Sequence, residues 1–136
     1  MKNTRPLMLS IALLLVACGG PLKYSVASSA KAPGADAKIV ADVKKDQNET
    51  ALEINVENLA PPSRVLEGSS VYVVWQRKDD KAKWSRIGSL KFDEGARKGG
   101  FTGSVPETAF DLEISAEKDA SAESPSGDAI FAQHVN

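Results

Sequence analysis

The chain of 136 residues contains one cysteine and one histidine. A single thiol excludes an intrachain disulfide, so the folded part must stand on packing alone. One cysteine and one histidine leave almost no room for a His/Cys metal site or a nucleophile–histidine triad. Charge of one sign is also missing: 17 basic side chains face 18 acidic ones, scattered along the chain. That balance disfavours a nucleic-acid partner, which asks for a clustered basic face. Aromatics make up only 6% of the chain, two of them Trp and two Tyr, so each one bears on the core or on recognition. After residue 17 there is no apolar run of the roughly 20 residues that a membrane-spanning helix needs.

What is present begins with a leader. Lys2 and Arg5 form a positive start, Leu7 to Val16 an apolar middle, and Ala17 the small residue before a cleavage point, the three parts of a secretory signal. The middle is about half the length that spans a bilayer, so removal is expected, not retention as a span. Leu15-Val16-Ala17-Cys18 resembles the lipobox of bacterial lipoproteins at every position. The resemblance implies a diacylglyceryl thioether on Cys18, cleavage between Ala17 and Cys18, and acylation of the new N-terminus. Two or three acyl chains, at about 0.8 kcal/mol per buried methylene, make a firm anchor. The competing reading is an ordinary signal peptide with an incidental or buried thiol. Removing residues 1–17 takes away two basic side chains and no acid, leaving 15 basic against 18 acidic over about 119 residues, enough for one domain.

The expected organisation is a signal peptide over residues 1–17, a lipidated tether over 18–35 and a β-domain over 36–136. Within the tether, Leu22 to Val26 reads either as an edge strand or as more tether, and Ala27 to Ala35 as a small, polar linker. Ala37, Ile39, Ala41 and Val43, then Leu52, Ile54 and Val56, alternate with polar or charged neighbours, apart from Val40. Around Asp46-Gln47-Asn48 these two runs predict an antiparallel hairpin. Asn58 to Ser70, with Pro61-Pro62 and Gly68, reads as a surface crossover. Val71-Tyr72-Val73-Val74-Trp75 is apolar on both parities and predicts the central strand. After the turn at Asp79-Asp80-Lys81, alternation resumes at Trp84, Arg86, Gly88, Leu90 and Phe92, with a bulge suspected at Ile87-Gly88. Asp93 to Gly100 reads as a loop and Phe101 to Val105 as a short strand. Phe110, Leu112, Ile114 and Ala116 predict a further strand, preferred to a helix over Glu107 to Lys118. Ser124-Pro125-Ser126-Gly127 fits a type I turn, and Ala129 to Val135 closes the chain. Seven or eight short strands without an amphipathic helix predict an all-β, two-layer antiparallel sandwich.

Tyr72-Val73-Val74-Trp75, Ile87-Gly88-Ser89-Leu90, Phe110 to Glu117 and Ser124-Pro125-Ser126-Gly127 followed by Ile130-Phe131 are similar, in that order, to the extracytoplasmic C-terminal domain of anti-sigma-K-type factors. The resemblance covers about half of the mature chain and implies an immunoglobulin-like β-sandwich. The family's sigma-binding helical segment and transmembrane helix have no counterpart here, so inhibition of a sigma factor is not carried over.

Catalysis is disfavoured by the residues. His134 lies two positions from the last residue, in what reads as a flexible tail, a poor place for a general base. The carboxylates Asp79, Asp80, Asp93 and Glu94 sit in predicted turns beside Lys and Arg and read as solvated charges. Asp93-Glu94-Gly95 lacks the ligand spacing of a calcium loop. No cofactor or metal is expected. Two features suit recognition: the aromatics Tyr72, Trp75 and Trp84, of which Trp75 reads as core, and the basic cluster Arg77, Lys78, Lys81, Lys83 and Arg86, which also reads as a solvated hairpin tip. Tyr72, Trp84, Arg77, Lys83 and Arg86 are the candidate contacts. The expectation is a non-catalytic, lipid-anchored interaction or sensory module that binds an envelope protein or glycan. Its alternatives are a carbohydrate-binding module using exposed aromatics and, less favoured, a carboxylate-dependent enzyme. Gly19, where inner-membrane retention by family analogy would place Asp, points to the outer membrane.

Overall fold

A computed structural model describes residues 20–136; the leader, the cleavage point and Cys18 lie outside the described residues. Among the described residues, nine strands form two antiparallel sheets, with one short helix between the third and fourth strands. In chain order they are β1 (Leu22–Ala27), β2 (Asp36–Lys44), β3 (Glu49–Glu57), α1 (Pro62–Val65), β4 (Val71–Arg77), β5 (Ser85–Ser89), β6 (Lys91–Asp93), β7 (Lys98–Val105), β8 (Phe110–Glu117) and β9 (Phe131–Val135). One sheet has the order β1-β2-β3-β7-β6, the other β5-β4-β8-β9. The all-β two-layer sandwich expected from the alternation is what these residues form. No helix among the described residues is long and apolar enough to cross a membrane.

The period-2 pattern places the core. Ile39 pairs with Ile54 and Ile54 with Phe101, so three strands of the first sheet send apolar side chains to one face. From the second sheet, Tyr72, Val74, Phe110, Leu112, Ile114, Phe131 and Val135 meet them. The β2–β3 hairpin has the expected register, with Ala37 opposite Val56 and Lys44 opposite Glu49. Asn48 takes a positive φ of 49° in its turn, a conformation asparagine tolerates better than most residues.

β1 resolves the choice left open at Leu22 to Val26: it pairs with β2 along its whole length, Leu22 opposite Ala41 and Ala27 opposite Asp36. The sandwich therefore starts at Leu22, and Ser28 to Ala35 is the β1–β2 loop, with Ala32 and Ala35 buried in the core. The crossover at Asn58 to Ser70 holds α1, started by a proline in its first turn, where the missing N–H costs nothing.

Three local expectations are corrected. The run from Trp84 to Phe92 splits into β5 and β6 because the chain changes sheets at Leu90, whose N–H bonds to the Tyr72 carbonyl. The suspected bulge is there: Val74 faces Gly88 and Trp75 faces Arg86, so Ile87 is the extra residue. Asp93 to Gly100 is only partly a loop, since β6 runs to Asp93 and β7 starts at Lys98. Gly99 and Gly103 lie on the inner face of β7, where a Cβ on Gly103 would come within 2.6 Å of Phe101 and one on Gly99 within 3.1 Å of Leu90. Rings and branched chains from neighbours fill the space, so glycine is a packing residue there and not punctuation. Ser124 to Gly127 is bent, but no backbone hydrogen bond closes a four-residue turn; Ser126 is held by a side chain instead.

Candidate functional site

The outer face of the second sheet is built from alternate residues of β4 and β8. Val73, Trp75 and Arg77 stand beside Ser115, Glu113 and Asp111 in register. Val73 and Trp75 belong to no inter-sheet contact, yet neither is exposed. The β8–β9 connection covers them. The Trp75 indole donates to Ser115 Oγ at 2.8 Å, and Ser115 donates to Glu117 Oε1 at 2.9 Å. The same carboxylate accepts the Ser126 N–H at 2.8 Å and, through Oε2, the Ser126 hydroxyl. On the far side of β4, Arg86 of β5 donates to the carbonyls of Ala120 and Ala122. Residues 118–128 thus leave β8, cross over β4 and are pinned on β5, forming a strap. Glu117 is 1% exposed and tolerable there because donors surround it.

Beyond the strap the same face is open. Arg77 Nε donates to Asp111 Oδ2 at 3.0 Å, and His134 Nδ1 lies 2.8 Å from Asp111 Oδ1. The register explains the chain of contacts, since Arg77 pairs with Asp111 and Asp111 with His134 across β4, β8 and β9. On the other side, the Arg77 guanidinium lies 4.4 Å from the Trp84 ring centroid, a cation–π stack. Trp84, Arg77, Asp111, Glu113, Gln133 and His134 line a cleft of about 310 Å³. The His134 hydrogen bond, with help from Arg77, holds the Asp111 carboxyl below its ordinary range against the opposing effect of burial. Burial pushes Glu113 the other way, with Arg77 partly offsetting it.

This arrangement sorts the candidate residues. Trp84 and Arg77 come together in the cleft, Trp84 just ahead of β5 rather than within a strand. Arg86 is occupied with the strap. Lys83 is exposed and apart from the cleft lining. Tyr72 is corrected: it is 0% exposed, with its hydroxyl donating to the Ala60 carbonyl and its ring edge-on to Phe92 at 5.8 Å. Burial pushes its phenol up to about 12. It packs the core and offers nothing to a ligand. His134 is corrected too, because β9 holds it in a ladder where a flexible tail was expected. Asp79 accepts the N–H groups of Lys81 and Ala82 at 2.9 and 3.0 Å and Asp93 that of Ala96 at 3.2 Å, so both shape turns.

Asp111, Glu113 and Gln133 were not singled out by the sequence; their only local signal is being the polar parity of two strands. A larger depression of about 510 Å³ lies on the first sheet, rimmed by Glu53, Asn55, Lys91 and Thr102 around Gly100. It is the hollow left by a missing side chain, and its one aromatic, Phe101, packs against the core on the inner side of β7. Among the described residues, no group of three His, Cys, Asp or Glu side chains is placed to hold a metal ion. Comparison of the chain with protein-family models, with curated proteins and with solved structures gives no match.

Proposed function

We propose that this protein is a non-catalytic, lipid-anchored module of a bacterial envelope, an immunoglobulin-like sandwich that engages a protein or glycan partner. The observation that carries this reading is the Leu15-Val16-Ala17-Cys18 sequence placed directly ahead of a folded β-domain, with only Gly19 to Pro21 between Cys18 and β1. Acyl chains on Cys18 hold the sandwich at a membrane, with the outer membrane favoured by Gly19. The likeness to the anti-sigma-K C-terminal domain supports a sensory or interaction role. The Cys18→Ala variant tests the anchor: it should leave the membrane fraction or stall with its leader uncleaved. Unchanged fractionation would refute the reading.

A second reading, a carbohydrate-binding module, is favoured by one feature. The cleft sets a tryptophan held by Arg77 beside two carboxylates, an amide and an imidazole, the mixture of aromatic face and planar polar groups that suits sugar hydroxyls. Envelope glycans titrated against tryptophan emission decide it. Quenching that disappears in Trp84→Phe supports the sugar site, and no response to any glycan removes it.

A further inference from the structure

The structure fixes which end of the sandwich the anchor would meet. Gly20 and Leu22 lie against Asp42, Val43, Lys45, Thr108 and Asn136. The chain therefore enters at the end that carries the β2–β3 turn, the β7–β8 connection and the last residue. Arg77 pairs with Asp111, and Phe110 with Val135. The β4–β5 hairpin tip, with Lys78, Lys81 and Lys83, is thereby brought to the same end. The β1–β2 loop, α1, the β6–β7 turn and the strap occupy the opposite end, where Ala27 pairs with Asp36 and Val56 with Gly99.

Cys18 is two residues from Gly20, a covalent reach of no more than about 7 Å. A tether of tens of flexible residues would let the domain tumble above a membrane, whereas this one is too short for that. Among the described residues, Lys44, Lys45, Lys78, Lys81 and Lys83 pair with no carboxylate, and neither do Arg64, Arg97 and Lys118 at the far end, so ion pairing does not set the two ends apart. Asp42, Asp46, Glu49, Asp79, Asp80 and Glu107 share the entry end, so the seating comes from the short reach and not from surplus positive charge. Lysine has the longer stem, however, and places its ammonium farther from the backbone than an aspartate places its carboxylate.

We propose that acylation of Cys18 seats this end of the sandwich directly on the phosphates of the phospholipid headgroups, with Lys44, Lys45, Lys78, Lys81 and Lys83 as the contacts. The opposite end, with α1 and the strap, then points away from the membrane and meets the partner. This rests on the lipid anchor put forward above.

The test uses the full-length lipidated protein in phosphatidylcholine–phosphatidylglycerol vesicles that carry a nitroxide quencher on a headgroup. A thioether at Cys18 leaves an introduced cysteine as the only free thiol, so a maleimide fluorophore can be placed at the entry end with Asp80→Cys or at the far end with Glu94→Cys. Because strands of this length separate the two ends by about 25 Å, quenching at position 80 should exceed that at position 94 by about threefold or more. Equal quenching, or stronger quenching at position 94, would overturn the proposal while the protein still floats with the vesicles. A parent chain that reacts with the maleimide and fails to float would instead overturn the anchor itself.

Discussion

Trp75 and Trp84 lie on or beside the same face of the same sheet, yet one is sealed and the other open. Around Trp75, the indole N–H, Ser115, Glu117 and Ser126 form one connected network under the strap. Around Trp84, a guanidinium, a carboxylate and an imidazole follow one another across three strands with their outer sides wet. The sealed half is an extension of the core and contributes to stability. The open half holds its geometry through partly exposed charges, which contribute little to folding and are free to exchange their partners for a ligand. The difference identifies where change should unfold the protein and where it should alter recognition.

Replacing each tryptophan in turn gives the largest contrast. Trp75→Ala removes a fully buried side chain and should cost about 3–5 kcal/mol in denaturant unfolding. Trp84→Ala, which loses chiefly a cation–π stack at a half-exposed position, should cost about 1 kcal/mol or less. Similar losses in both would mean that the open half is as structural as the sealed one. Next in size is Glu117→Ala. It leaves the Ser126 N–H and two hydroxyls without their acceptor, a cost of about 2–3 kcal/mol. It should also loosen the strap, moving Trp75 emission to the red while strand content stays the same. If the variant is destabilised but Trp75 emission does not move, the strap is not what keeps water from that ring.

Much of this was legible beforehand because strands advertise themselves locally. The alternation at Ala37 to Val43, Leu52 to Val56 and Phe110 to Ala116 gave inward faces that the register then paired. Legibility stopped where contacts between distant segments decide. Gly99 and Gly103 carry no local sign of their packing role, since nothing nearby says that Leu59 and Leu90 fill the space beside the one and Phe101 the space beside the other. Tyr72 was open to either assignment because β4 is apolar on both parities, so its pattern cannot tell the inter-sheet side from the strap side. In the cleft, Arg77 and Trp84 stood out as a cation and an aromatic in one stretch. Asp111 did not, and His134 stood out only as the one histidine and not as their neighbour, since only the β4–β8–β9 register unites them.

The smallest effect probes that union from the charge side. Hydrogen bonding to His134 and Arg77 lowers the folded-state pKa of Asp111 below the ordinary range of an aspartate carboxyl. The unfolded chain therefore takes up this proton first on acidification, and the stabilisation is complete above the unfolded value and lost as pH falls through the lower folded one. Asp111→Asn removes that ionisation, so its melting temperature should decline less steeply than the parent's as pH falls below about 4. The pair is partly exposed, which keeps the difference under about 1 kcal/mol. Emission gives a second reading on the same samples. Loss of the Asp111 carboxylate frees Arg77 to shift on Trp84, so the exposed component of the spectrum should change with pH in the parent and not in Asp111→Asn, while the component from Trp75 stays constant in both. Matching acid slopes would show that the row from Trp84 to His134 is a set of neighbours without coupling, and the open half would then be no more than an uncovered edge of the sheet.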